Sequence, residues 1–167
     1  MKERQLDHPR AGISAVVKKT PIPEAGRSSA AESLTDVTTT PRILIIEDQY
    51  VTAMDCQAQL ARAGCACVGI ANTAAQAMLL AARERPDLVL MDIRLASRTN
   101  GVDIAKEIYE QHGIRCIFVT GQSDPDLRKR AGEAHPLGWL EKPYSPSDSN
   151  AALEAALAQL SAEGRDG

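Results

Sequence analysis

Aromatic residues are scarce in this chain: one Trp, three Tyr and one Phe, together 3% of 167 residues. That scarcity excludes a base-stacking platform for single-stranded nucleic acid, which needs several aromatic faces along one groove. A basic excess is missing too. With a formal net charge of −3 there is no electrostatic footprint for a phosphate backbone, so direct nucleic-acid binding is not expected. No apolar run reaches the roughly 18 residues of a membrane span, and the N-terminus carries no apolar signal core. We therefore expect no membrane insertion and a cytoplasmic location. Cysteines number four, and only Cys65 and Cys67 stand close together. A lone C-x-C is too little for a metal site, and Cys56 and Cys116 sit in apolar patterns that suit small buried hydrophobes.

What is present is an ordinary globular composition, 44% hydrophobic and 25% charged, with a core to be built from Ala, Leu, Ile and Val. Residues 1–40 differ from the rest. Pro9, Pro21, Pro23, Gly12 and Gly26 and a run of Thr38, Thr39 and Thr40 break every periodicity, so a disordered extension is expected there. Within it, Ile13, Val16 and Val17 form a short apolar segment suited to docking on a partner or a neighbouring subunit. Residues 41–167 hold 13 basic and 17 acidic side chains, so the expected folded part, residues 41–161, is mildly acidic. A short tail, residues 162–167, closes the chain.

From Pro41 onward, strand and helix patterns alternate five times. Buried strands are predicted at Ile43–Ile46, Ala66–Ile70, Asp87–Met91, Ile114–Thr120 and Leu137–Leu140. The intervening helices are predicted over Gln49–Ala63, from Thr73 to about Glu84, over Gly101–His112 and over Pro125–Ala134. On the first, Tyr50, Met54, Ala58 and Ala61 form the expected inward face, and Gly64 closes it. Thr73-x-x-Gln76 has the form of a capping box. Ser145-Pro146 starts a last helix whose stripe is Leu153, Leu157 and Leu160. Such alternation implies an α/β fold with a parallel sheet covered on both faces, that is, a doubly wound sheet. Ligands of these sheets bind outside the carboxyl ends of the strands.

Those ends carry the chemistry. Glu47 and Asp48 follow the first strand, Asp92 the third, Thr120 the fourth and Lys142 the fifth. Singly, each has an ordinary role: a helix N-terminal acid, a turn-capping Asp, a β-branched strand end or a solvated loop cation. Together, at successive ends of one sheet, they form a cluster of carboxylates with one hydroxyl and one amine. Crowded carboxylates need a cation, and hard oxygen donors suit Mg²⁺. A metal beside a nucleophilic carboxylate, with Lys142 and Thr120 for the remaining oxygens, is equipment for forming an aspartyl phosphate.

Ile-Glu-Asp at 46–48, Leu-Met-Asp-Ile-Arg at 90–94, Phe-Val-Thr-Gly at 118–121 and Glu-Lys-Pro-Tyr at 141–144 resemble, in this order, the receiver domain of two-component response regulators. The resemblance covers about Pro41 to Leu160. It implies a flavodoxin-like fold, a five-stranded parallel sheet of order 2-1-3-4-5, with Asp92 as acceptor of a phosphoryl group from a sensor histidine kinase or phosphotransfer protein. It further implies Mg²⁺ held by Glu47 through water, by the Asp48 and Asp92 carboxylates and by the Arg94 backbone carbonyl. Lys142 would pair with the phosphate, and the Lys142–Pro143 bond would be cis. Thr120 and Trp139 would form the switch, with no catalysis beyond the domain's own phosphorylation and dephosphorylation.

Three departures from the family pattern stand out. Leu95-Ala96 replaces the usual Met-Pro, in a loop slightly long before Gly101. Trp139 stands where Tyr or Phe is usual, and the fourth helix, with Gly132 and Arg128-Lys129-Arg130, offers the core little beyond Leu127 and two alanines. Only Ser161–Gly167 follow the last stripe, so a stand-alone receiver is expected, acting through a protein partner or a second copy of the chain. Two other readings compete with this one. A receiver-like interaction module independent of phosphorylation would have lost one of Asp48, Asp92, Thr120 or Lys142. A phosphatase of the haloacid dehalogenase type needs an acid two residues after its nucleophile, and that position is Arg94.

Overall fold

In a computed structural model, residues 39–95, 100–121 and 125–164 are described. The chain divides into two units, Met1–Asp36 and Val37–Gly167, and all described residues belong to the second. The extension read as disordered, except Thr39 and Thr40, and its Ile13–Lys18 segment lie outside the described residues, as do residues 96–99, residues 122–124 and the tail after Gly164.

Five strands, β1 Arg42–Ile46, β2 Ala66–Ala71, β3 Leu88–Asp92, β4 Cys116–Thr120 and β5 Gly138–Glu141, form one sheet of order β2-β1-β3-β4-β5. All four pairings are parallel, as the alternation with helices requires. The helices are α1 Tyr50–Arg62, α2 Ala74–Glu84, α3 Gly101–His112, α4 Pro125–Ala131 and α5 Pro146–Glu163, with one 3₁₀ turn, Gly132–Ala134, after α4. That turn is what becomes of the last three residues of the predicted fourth helix, where Gly132 weakens the α-helical continuation.

Period-2 alternation splits each central strand between two cores. Leu44 and Ile46 of β1 face α2 and α3, while Ile43 and Ile45 face α1 and α5, and all four are essentially solvent-free. Burying each aliphatic side chain contributes about 1.5–3 kcal/mol before conformational entropy is set against it. This two-sided burial explains why β1, β3 and β4 read as continuous apolar runs.

Caps set the helix ends. Thr73 accepts from the Gln76 N–H at 3.2 Å, and the Gln76 side chain reaches one residue further back than a capping box requires, to the Asn72 N–H. Ser145 and Asp148 make a complete capping box at α5. Gly113 ends α3 at φ 68°, where a side chain would be strained.

The inward face of α1 is not the predicted one. Ala53, Cys56, Gln59 and Leu60 are buried, and Tyr50, Met54, Ala58 and Ala61 are exposed. The helix sits one position, about 100°, away from the expected rotation. The two stripes have similar hydropathy, and the one carrying Ala53, Cys56 and Leu60 packs into the α1–α5 side of the core.

Candidate functional site

Backbone pairing aligns the strand ends. The Glu47 N–H bonds the Ala71 carbonyl at 3.0 Å, the Ile93 N–H the Val119 carbonyl at 3.1 Å and the Lys142 N–H the Thr120 carbonyl at 2.7 Å. Each bond carries the ladder one residue past its strand, so Glu47, Asp92, Thr120 and Lys142 arrive at one edge of the sheet. Asp92 is the last residue of β3, paired in register with Val119, one residue further into the strand than predicted.

One ligand atom from each of Glu47, Asp48 and Asp92 lies within 4.8 Å of the others. Glu47 and Asp92 are buried, at 4% and 5% exposure, and their burial demands positive charge. Lys142 supplies it: Nζ donates to Asp92 Oδ2 at 2.9 Å and to Glu47 Oε2 at 3.1 Å. The remaining oxygens take backbone donors, Asp92 Oδ1 from the Arg94 N–H and Glu47 Oε1 from the Gln49 N–H, each at 3.0 Å.

Burial is the main influence holding the Glu47 carboxyl above its ordinary 4.5, with the adjacent Asp92 acting in the same sense against the Gln49 N–H and Lys142. Burial acts to lower Lys142, but its hydrogen bonds and attraction to Asp92 and Glu47 outweigh that, and its ammonium is held above 10.5. Both shifts express one fact: two buried acids share one half-buried cation. Three convergent carboxylates, two of them buried, are the hard oxygen donor set that Mg²⁺ takes, and these residues fit that ion.

Residues 43–154 match the family model described as the response regulator receiver domain. The chain belongs to this family. It is 36% identical over 119 residues to the transcriptional regulatory protein PdtaR of Mycobacterium tuberculosis, an alignment covering 71% of this chain and 58% of that protein. It is 33% identical over 137 residues to the phyllosphere-induced regulator PhyR of Methylorubrum extorquens, covering 81% of this chain and 48% of PhyR. The chain thus spans about half the length of these curated relatives. Among solved structures, the signal receiver domain of a modulated diguanylate cyclase from Desulfovibrio desulfuricans is similar with a TM-score of 0.69 and 29% identity. That match covers 75% of this chain and 99% of the other.

The other predicted receiver residues have definite positions. Thr120 is buried at the end of β4, and the Lys142–Pro143 peptide is cis. Arg94, assigned a metal-binding carbonyl by the resemblance, touches the site through its N–H and forms an antiparallel bridge with Asn100. Trp139 is half-buried, 5.0 Å from the Phe118 ring, with the Arg128 guanidinium 4.9 Å over its own ring.

Two features escaped the sequence. Tyr144, after the cis peptide, makes a 3.3 Å contact through its hydroxyl to Cys56 Sγ of α1, bracing the connection that carries Lys142. Nothing in a Tyr and a Cys 88 positions apart signals this. The second is the approach of Gly101 to the backbone of Asp92, for which the Asn100-Gly101 dipeptide, a turn and cap pattern, was an available signal.

Among the described residues no helix is long and apolar enough to cross a membrane. All four cysteines are free, and burial raises the Cys116 thiol to about 12, in keeping with small buried hydrophobes.

Proposed function

We propose that this receiver domain acts in a phosphorelay, accepting a phosphoryl group on Asp92 from a histidine kinase or phosphotransfer protein and signalling by protein contact. The observation that carries the reading is the convergence of Asp92, Glu47 and Lys142 from three different strands onto two hydrogen bonds of one ammonium. A structural ion pair needs one acid, and a second buried carboxylate beside it is a cost that a phosphoryl and metal site explains.

In the transfer, a carboxylate oxygen of Asp92 forms a bond to phosphorus while the bond from phosphorus to the donor's imidazole nitrogen breaks, its electron pair leaving with the imidazole. Asp48, Asp92 and Glu47 would hold a Mg²⁺, which would supply positive charge to the phosphoryl oxygens. The Arg94 N–H keeps the carboxylate oriented. Lys142 turns from Asp92 Oδ2 to a phosphoryl oxygen, and the Thr120 hydroxyl serves another. The domain then catalyses nothing beyond gain and loss of its own phosphoryl group.

The exposed Tyr50, Val51 and Met54 at the start of α1 lie just after Asp48 in the chain, and we take this apolar patch as the face that receives the phosphodonor protein. A direct test uses beryllofluoride, a phosphoryl mimic. One equivalent is expected to bind only with Mg²⁺ present and not to Asp92→Asn. Binding that survives that substitution, or that ignores Mg²⁺, rejects the assignment.

A further inference from the structure

The connection after β3 turns back on itself at Asp92. Arg94 and Asn100 form an antiparallel bridge, and the Gly101 N–H bonds the Ile93 carbonyl at 3.0 Å. The Asn100 side chain accepts from the Val102 N–H at 3.0 Å and so caps α3. Both closures bring the first residue of α3 against the backbone of the proposed phosphoacceptor. A Cβ on Gly101 would overlap the Asp92 carbonyl oxygen and stand 2.9 Å from the Ile93 Cα. The obstacle is backbone, so no rotamer change relieves it.

We infer that Asn100 and Gly101 are positioning residues for the reaction at Asp92. They clamp the main chain of residues 92–94, which fixes the Asp92 carboxylate and the Arg94 N–H that orients it. The inference rests on Asp92 being the phosphoacceptor.

Displacing a reacting group by about 1 Å costs up to roughly 100-fold in rate. Full-length Gly101→Ala, Asn100→Ala and Asn100→Asp are compared with wild type, first for helical circular dichroism and then with acetyl phosphate as donor at saturating Mg²⁺. We expect Gly101→Ala to lower the maximal rate of phosphoryl uptake about tenfold or more, with little change in the donor concentration at half-maximal rate. Asn100→Ala should fall between, and Asn100→Asp, which keeps an oxygen for the cap, should recover most of the rate. A folded Gly101→Ala with the wild-type rate overturns the inference. If Gly101→Ala does not fold, the Asn100 pair decides, and equal rates for Ala and Asp overturn it. If wild type itself takes no phosphoryl group, the proposed function falls. The positioning is then read from Mg²⁺ binding alone by calorimetry, where unchanged affinity in Gly101→Ala overturns it and a loss of about tenfold supports it.

Discussion

Lys142 Nζ stands 2.9 Å from Asp92 Oδ2 and 3.1 Å from Glu47 Oε2, so a single ammonium spans two buried carboxylates drawn from different strands. Removing it leaves both acids without their cation. Lys142→Met should destabilise the metal-free protein by about 1–3 kcal/mol, below the roughly 3–5 of a fully buried pair because the Lys142 side chain keeps 29% of its surface exposed. Mg²⁺ should restore more stability to the variant than to wild type, since it replaces the missing charge. Thermal melts with and without Mg²⁺ measure both, and equal Mg²⁺ gains in the two proteins would contradict the shared-cation picture.

The pH dependence follows from the same pair. Lys142 is raised above 10.5 in the fold, so its contribution is fully present below that pH and is lost as pH rises through the folded value. Glu47, raised above 4.5, contributes stability to the metal-free protein below that pH and loses it as pH rises through its folded value. Protonated Glu47 also opposes a cation, so Mg²⁺ affinity should fall as pH drops through that raised value, and Glu47→Gln should flatten this part of the profile. Calorimetric titrations across pH check it, and a profile identical in Glu47→Gln would remove Glu47 from the site.

The exposed start of α1 makes a separable prediction. Val51, 80% exposed, should tolerate Val51→Arg without loss of fold or of phosphoryl uptake from a small donor. Transfer from a phosphohistidine protein that labels wild type should slow about tenfold, the effect of an interface residue worth more than 1 kcal/mol. Equal transfer rates would put the donor's contact elsewhere.

Residues 121–139 should carry the output. Among the described residues of this segment, Leu127, Ala131, Ala134 and Trp139 pack with the core on the α2–α3 side, and it meets α3 through the Tyr109–His135 ring contact and two exposed ion pairs, Arg130 with Asp103 and Lys106 with Glu133. Exposed pairs of this kind are worth about 0–1 kcal/mol each, which leaves a small barrier to rearrangement. Hydrogen exchange with beryllofluoride and Mg²⁺ should change at α4 and around Trp139. Unchanged exchange in this segment, with change confined to residues 1–40, would mean signalling by another route.

Much of this is legible in the sequence. Strand ends announce themselves as apolar runs closed by a polar residue, and a parallel sheet brings such ends together, so Glu47, Asp48, Asp92, Thr120 and Lys142 could be gathered in advance. Thr73 and Ser145 marked helix starts because a side-chain oxygen there has a backbone N–H to satisfy. The rotation of α1 is not legible, because Tyr50, Met54, Ala58 and Ala61 on one face and Ala53, Cys56, Gln59 and Leu60 on the next have similar hydropathy, and periodicity alone does not choose between them. The Gly101 contact is only half legible: Asn100-Gly101 signals a turn and a cap, but the backbone it approaches, that of Asp92, is recorded by no side-chain pattern.

The central claim, that Asp92 is a nucleophile toward phosphorus in a Mg²⁺-dependent pocket, is tested most directly by intact mass after incubation with a small phosphodonor. Wild type with Mg²⁺ should gain one phosphoryl group that hydroxylamine and base remove, as expected of an acyl phosphate. Asp92→Asn, and wild type without the metal, should gain none. Unmodified wild type under conditions that label a control receiver, or equal labelling of Asp92→Asn, would contradict the account.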